Sequence, residues 1–318
     1  LAISLRAALE GRSDLAIGNV VGSNIMNMLL ILGVSALILP LTVHQRLVRI
    51  DAPLMVLSSL AFLAFAWDGG ISVGEAMALL AALAAYLTWT AVQANNESEE
   101  VRAEYEREYG GPGMGALPGV LLVLGGLVLL VGGADWLVDS ATAIARALGV
   151  SELVVALVLV AGGTSLPELA TSLVAALRGE RDIAVGNVIG SNIFNILGII
   201  GITGIVAPEG LAVSNVVLAF DLPVMVATSL VCLPILISGF RITRPEGLVL
   251  LLYYGAYVGF LLLDAQDHAA LPTVSWVLGF FVLPISALGL LLPLLTPYFR
   301  RTESAASTDA GLTRPPLP

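Results

Sequence analysis

Glu168 stands where a carboxylate is costly. It lies in the stretch AGGTSLPELATS, Ala161 to Ser172, inside a long apolar run. A charge at the centre of a bilayer costs several kcal/mol (~2.5–3.5 on insertion scales) unless it is paired, hydrated or bound to a cation. Its neighbours supply oxygen. Thr164 and Ser165 carry hydroxyls, and Pro167, lacking an N–H, frees a backbone carbonyl about one turn earlier. Gly162 and Gly163 let the backbone bend and approach neighbours. An all-oxygen environment of this kind suits hard cations such as Ca²⁺ and Na⁺.

A second polar face follows in GNVIGSNIFN, Gly186 to Asn195. Ser191 and Asn195 are four residues apart and share one helix face, with Asn187 a turn behind. Gly186 and Gly190 form a small-xxx-small pair, so the same segment can equally be read as helix packing with Asn and Ser as interhelical glue. The motif recurs as GNVVGSNIMN near the start of the chain, placing Ser23 and Asn27 in register with Ser191 and Asn195.

That recurrence is part of a longer repeat. LAISLRAALEGRSDLAIGNVVGSNIMNMLLILG (Leu1–Gly33) aligns without a gap to LATSLVAALRGERDIAVGNVIGSNIFNILGIIG (Leu169–Gly201), with about two thirds of positions identical. A weaker echo pairs DAPLMVLSSL from Asp51 with DLPVMVATSL from Asp221. Asp51 and Asp221 are expected to open matching helices, where an acid suits the helix dipole.

The elements that carry these residues are membrane spans. Of 318 residues, 58% are hydrophobic and 12% charged, too little charge for a soluble domain of this size. Runs near Leu15–Leu39, Ala52–Trp67, Val73–Gln93, Leu117–Leu148, Glu152–Leu177, Ile183–Val206, Ala219–Ile237, Glu246–Leu263 and Val274–Leu295 are expected to cross the bilayer. Leu1 to Leu9 reads as a helix remnant. The segment NNESEEVRAEYEREYGGPG reads as a solvated Glu-rich loop, and the tail after Arg301 as disordered.

With that loop in the cytoplasm, Arg46, Arg49, Arg102, Arg107, Arg178, Arg181, Arg241, Arg244, Arg300, Arg301 and Arg314 fall inside, and only Arg6, Arg12 and Arg146 outside. Leu15–Leu39 then runs inward and its partner Ile183–Val206 outward. The halves are inverted relative to each other, an arrangement that places a transport site where they meet near the midplane. The expected location is the plasma (inner) membrane, with the loop and the C-terminus cytoplasmic.

The net charge of −10 argues against nucleic acid as a partner. Cys232, the single cysteine, excludes an intramolecular disulfide and a Cys-rich metal site. Neither His44 nor His268 lies in a span, and Asp135 and Asp139 share one helix, so intramembrane protease chemistry is not supported. Nothing in the sequence names a protein partner.

AGGTSLPELATS followed by GNVIGSNIFNIL, in two inverted copies, resembles the α-repeat of the cation/Ca²⁺ exchanger superfamily, the sodium/calcium exchanger group. ADWLVDSA upstream looks like the first helix of such a half. The resemblance implies an all-α polytopic membrane protein of two inverted repeats of five transmembrane helices, the first incomplete here, plus one extra C-terminal helix. It divides the chain into a first repeat at 1–93, the loop at 94–116, a second repeat at 117–264, an extra helix at 265–301 and a tail at 302–318. It implies Glu168 as the principal carboxylate, oxygens from Thr164 and Ser165, a backbone carbonyl from Ala161, and ligands from Ser191, Asn195, Ser23 and Asn27. Asn19 and Asn187 are weaker candidates. No cofactor is implied beyond the transported Ca²⁺ and Na⁺.

The alignment sets the counterpart of Glu168 just ahead of Leu1, so this stretch is expected not to transport as it stands. Potassium-dependent relatives have Asp where Asn195 stands, so the resemblance implies K⁺-independent exchange. A Ca²⁺/H⁺ exchanger using the same carboxylates is the nearest alternative, and a non-transporting membrane scaffold a distant one. Gly125, Gly126, Gly132 and Gly133 are expected to allow close sliding contact of the span at Leu117–Leu148.

Overall fold

The computed structural model describes residues 1–95, 116–147, 161–207, 209–237, 240–265 and 271. In chain order these form α1 (Ala2–Leu9), α2 (Ser13–Ile38), β1 (Leu41–Thr42), α3 (Leu47–Asp68), β2 (Gly70–Ile71), α4 (Val73–Asn95) and α5 (Ala116–Ala147). There follow α6 (Ala161–Thr164), α7 (Leu166–Arg178), α8 (Arg181–Val206), β3 (Leu211–Ala212), α9 (Val217–Ile237), β4 (Arg241–Ile242) and α10 (Arg244–Ala265). Helices α2, α3, α4, α8, α9 and α10 are long and apolar enough to cross a membrane. Large apolar side chains such as Leu57, Leu129, Leu177 and Leu252 stand exposed on the outside, as lipid-facing residues do. The expected span at Val274–Leu295, most of the Glu-rich loop and the tail lie outside the described residues.

Helix ends follow local sequence. Ser72 and Glu75 form a capping box at the start of α4, with Ser72 N and Oγ on Glu75 Oε2 at 2.8 and 2.7 Å. Thr243 and Glu246 repeat it at α10, both bonds at 2.7 Å. Helices α1 and α7 stop at Gly11 and Gly179, with φ of 72° and 82°. The following N–H groups, of Arg12 and Glu180, bond back to the Ala7 and Ala175 carbonyls at 2.8 and 2.9 Å, the closing bond of a glycine-ended helix.

The contacts obey the repeat seen in the sequence. Strand β1 pairs antiparallel with β4, and β2 with β3. Helix α3, 22 residues long, separates the two ribbons by roughly 30 Å at 1.5 Å per residue. The sequence counterpart of β1 is β3, so equivalent strands sit at opposite ends of the bundle, which is an inverted relation. Small residues make the interlocking contacts. A Cβ on Gly204 would lie 2.7 Å from Ala76 Cβ, and one on Gly247 would lie 2.9 Å from Ala36 Cβ; the two pairs are equivalent, with glycine and alanine exchanged. Ser59 and its own counterpart Ser229 meet directly, Oγ to Oγ, at 3.2 Å.

One expectation changes. Asp51 and Asp221 do not open their helices, which begin a turn earlier at Leu47 and Val217. Both carboxylates are buried and accept bonds from Tyr86 and Tyr257 instead. Among the described residues no neighbour lies within 4 Å of where a Cβ would stand on Gly125, Gly126, Gly132 or Gly133.

Candidate cation site

The polar faces of the two copies are brought together at the centre. Helix α6 ends where Ser165 turns its N–H onto the Gly162 carbonyl at 3.1 Å, the i−3 contact of a tightened turn. Pro167 has no N–H to offer the Gly163 carbonyl, and α7 restarts with Leu169 N–H on the Ser165 carbonyl at 2.9 Å. This break sets Glu168 in the first turn of α7. Ala161 opens the short helix before the break, and Ser165 is buried in it.

Glu168 shares a cavity of about 310 Å³ with Gly186, Asn187, Gly190, Ser191, Phe194 and Asn195 of α8. Its Oε2 is buried without a hydrogen-bond partner among the described residues. Gly190 has nothing within 4 Å of a would-be Cβ, and Gly186 meets only Leu47 at 3.8 Å. Both glycines line the cavity, and neither makes a tight helix contact among the described residues.

Asn187 braces the backbone beneath the carboxylate. Its Nδ2 donates to the Glu168 carbonyl at 3.2 Å and to Ser172 Oγ at 3.0 Å. The counterpart Asn19 donates to Ser4 Oγ at 3.0 Å, while its Oδ1 accepts from Thr164 Oγ1 at 3.0 Å. Thr164 Oγ1 also lies 3.1 Å from Ser23 Oγ. Thus Ser23 and Thr164, from different copies, are in contact.

Asn27 and Asn195 face each other's half through two residues that the sequence reading passed over. Asn27 Nδ2 donates to Asn192 Oδ1, and Asn195 Nδ2 to Asn24 Oδ1, both at 2.9 Å. The repeat carries the first bond onto the second. Asn27 Oδ1 is buried with no partner among the described residues. The signal for Asn24 and Asn192 was their identity in both copies; one residue beyond the serine, they point about 100° away from its face, toward the opposite half. Both asparagine stretches coincide with π-helical turns, Asn27–Ile31 and Phe194–Ile200, a feature frequent at functional sites.

The described residues hold no cluster of three or more His, Cys, Asp or Glu side chains. What converges is one carboxylate with amide and hydroxyl oxygens, buried between two inverted sets of membrane helices. A carboxylate and amides enclosed among membrane helices are the features by which transporters hold ions.

Residues 1–92 and 118–263 match the family described as sodium/calcium exchanger protein, and the chain belongs to it. It is 37% identical over 263 residues to a putative antiporter CaxA of Alkalimonas amylolytica, covering 81% of each chain. It is 34% identical over 293 residues to the sodium/calcium exchanger MaX1 of Methanosarcina acetivorans, covering 81% of this chain and 83% of that one. Structures of the sodium-calcium exchanger NCX_Mj, among them one soaked with Na⁺ and Sr²⁺, superimpose with a TM-score of 0.66 at 31% identity, over 80% of each chain.

Proposed function

We propose that this protein is a K⁺-independent Na⁺/Ca²⁺ antiporter working by alternating access. Its ion ligands are Glu168, Thr164, Ser165, the Ala161 carbonyl, Ser191, Asn195, Ser23 and Asn27. The observation that carries the proposal is Glu168, which lines a cavity with Asn187, Ser191 and Asn195 and whose Oε2 is buried without a hydrogen-bond donor among the described residues. An ionised oxygen left so is strongly unfavourable, and a hard cation removes the penalty. The family to which the chain belongs, and the names of MaX1 and NCX_Mj, support Na⁺ and Ca²⁺ as the ions.

Asn27 and Asn195 add oxygen without charge, which supports independence from a third cation. The loaded, neutralised site crosses between states more readily than the empty charged one, so ions are exchanged and do not leak. The arginine distribution supports a plasma (inner) membrane orientation with the Glu-rich loop and C-terminus in the cytoplasm.

The same Oε2 could instead hold a proton, which is the basis of a Ca²⁺/H⁺ reading. The amide oxygen of Asn27 cannot take that role, since it is not basic, and it favours Na⁺. The experiment uses the full-length protein, in Na⁺-loaded liposomes diluted into Na⁺-free medium with and without K⁺. Ca²⁺ uptake that needs the Na⁺ gradient, ignores K⁺ and is lost in Glu168→Gln is expected. Uptake driven only by a pH gradient would replace this reading with the proton-coupled one.

A further inference from the structure

Each asparagine pair ends on a methionine. Asn24 Nδ2 donates to Met225 Sδ at 3.6 Å, and Asn24 Oδ1 accepts from Asn195. In the other half Asn192 Nδ2 donates to Met55 Sδ at 3.7 Å, and Asn192 Oδ1 accepts from Asn27. Met55 and Met225 are repeat counterparts and both are fully buried, at 0% exposure.

An amide has a donor end and an acceptor end of nearly the same shape, and its orientation is set by its partners. A thioether can only accept. Met225 therefore fixes which way Asn24 lies: nitrogen toward sulfur, oxygen toward Asn195. Asn195 must then spend its nitrogen on Asn24, and its oxygen is the end left at the cavity wall it shares with Glu168. Reversing this chain would present an NH₂ group to a cation, which repels it.

We propose that Met225 and Asn24, with Met55 and Asn192 in the other half, are positioning residues that fix the polarity of the Asn195 and Asn27 amides, so that oxygen faces the ion. This rests on the reading of Asn195 and Asn27 as ligands. The two arms are not equally secured. Asn192 Nδ2 also reaches the Asn24 backbone carbonyl at 3.4 Å, a second acceptor that holds its polarity without Met55. The thioether therefore matters more on the Met225 arm.

The test measures KM and Vmax for Na⁺-driven Ca²⁺ uptake by the full-length protein, with thermal melting as the check on folding. Met225→Leu is expected to raise KM about 3–10-fold, the range of one modest hydrogen bond, with Vmax within about twofold. Met55→Leu is expected to change KM by less than about twofold, and Met225→Gln, which keeps an acceptor, to restore it. A packing role would affect two equally buried methionines alike, so equal KM shifts in the two leucine variants overturn the proposal, as does an unchanged KM in Met225→Leu. If Met225→Leu does not fold, Asn24→Thr and Asn24→Val serve: similar in size, only threonine offers Asn195 an oxygen, and equal KM values overturn the relay. Glu168→Gln is run beside them. If it transports normally, the site reading fails; if it is inactive and the relay variants match wild type, only the relay fails.

Discussion

Tyr257 donates its phenolic proton to Asp221 across 2.9 Å, and Tyr86 gives the same bond, at the same length, to Asp51. Each tyrosine sits on the last helix of its half and each aspartate on the preceding one, so the bond ties neighbouring spans at repeat-equivalent places. Asp221 is 2% exposed and Asp51 9%. A buried carboxylate that loses its donor forfeits about 1.5–3 kcal/mol. Tyr257→Phe is therefore expected to lower the melting temperature in detergent, and Tyr86→Phe to do so by less. Absent shifts would show that these bonds do not hold the spans together, and equal shifts would overturn the ranking by burial.

The glycines divide into two kinds, and alanine separates them. On Gly247 a Cβ would meet the Gly33 carbonyl and Ala36 Cβ at 2.9 Å, so Gly247→Ala is expected to cost about 1–3 kcal/mol through overpacking. Gly190 faces open space in the cavity, so Gly190→Ala is expected to melt within about 0.5 kcal/mol of wild type. Comparable destabilisation by both would contradict the packing described.

The ribbons give a topology test. Thr42 lies on β1 and Ala212 on β3, at opposite ends, and both are exposed. In a Cys232→Ser background, Thr42→Cys is expected to react with a membrane-impermeant thiol reagent only from the cytoplasm, and Ala212→Cys only from outside. Labelling of both from one side would defeat the inverted arrangement; labelling each from the wrong side would reverse the orientation alone.

The register of the ribbon formed by β1 and β4 is also checkable. Thr42 pairs with Arg241, so cysteines at these two positions, again without Cys232, are expected to cross-link under mild oxidation. Shifting one of them by a residue turns its side chain to the other face and is expected to abolish the cross-link.

The spans were legible because hydrocarbon thickness and helix rise leave little choice of length, and six of the helices found (α2, α4, α5, α8, α9 and α10) start and end within a few residues of the expected runs. Asn187, Ser191 and Asn195 were legible as a group because a four-residue spacing places side chains on one face of a helix, and Glu168 because a carboxylate inside an apolar run is costly. Asn24 and Asn192 were not, since their meaning depends on the opposite half, and no periodicity within one helix shows what that half offers. The π-helical turns were missed for the same reason: a one-residue insertion in the hydrogen-bond ladder leaves composition unchanged. The aspartates misled because a carboxylate near a helix start suits the dipole, and only the packed tyrosine, 35 or 36 residues later, shows the other partner.

The meeting of Ser59 with Ser229 bears on how such a chain could arise. A position that faces its own equivalent must be self-complementary, because whatever side chain stands there meets a copy of itself. Two aspartates would repel and two amino groups would too, but a hydroxyl both gives and takes a proton. The serine pair is thus what two identical half-length chains, inserted in opposite senses in one bilayer, would need at their common centre. The Ser59–Ser229 contact is one that an antiparallel homodimer of such half-length chains could use unchanged.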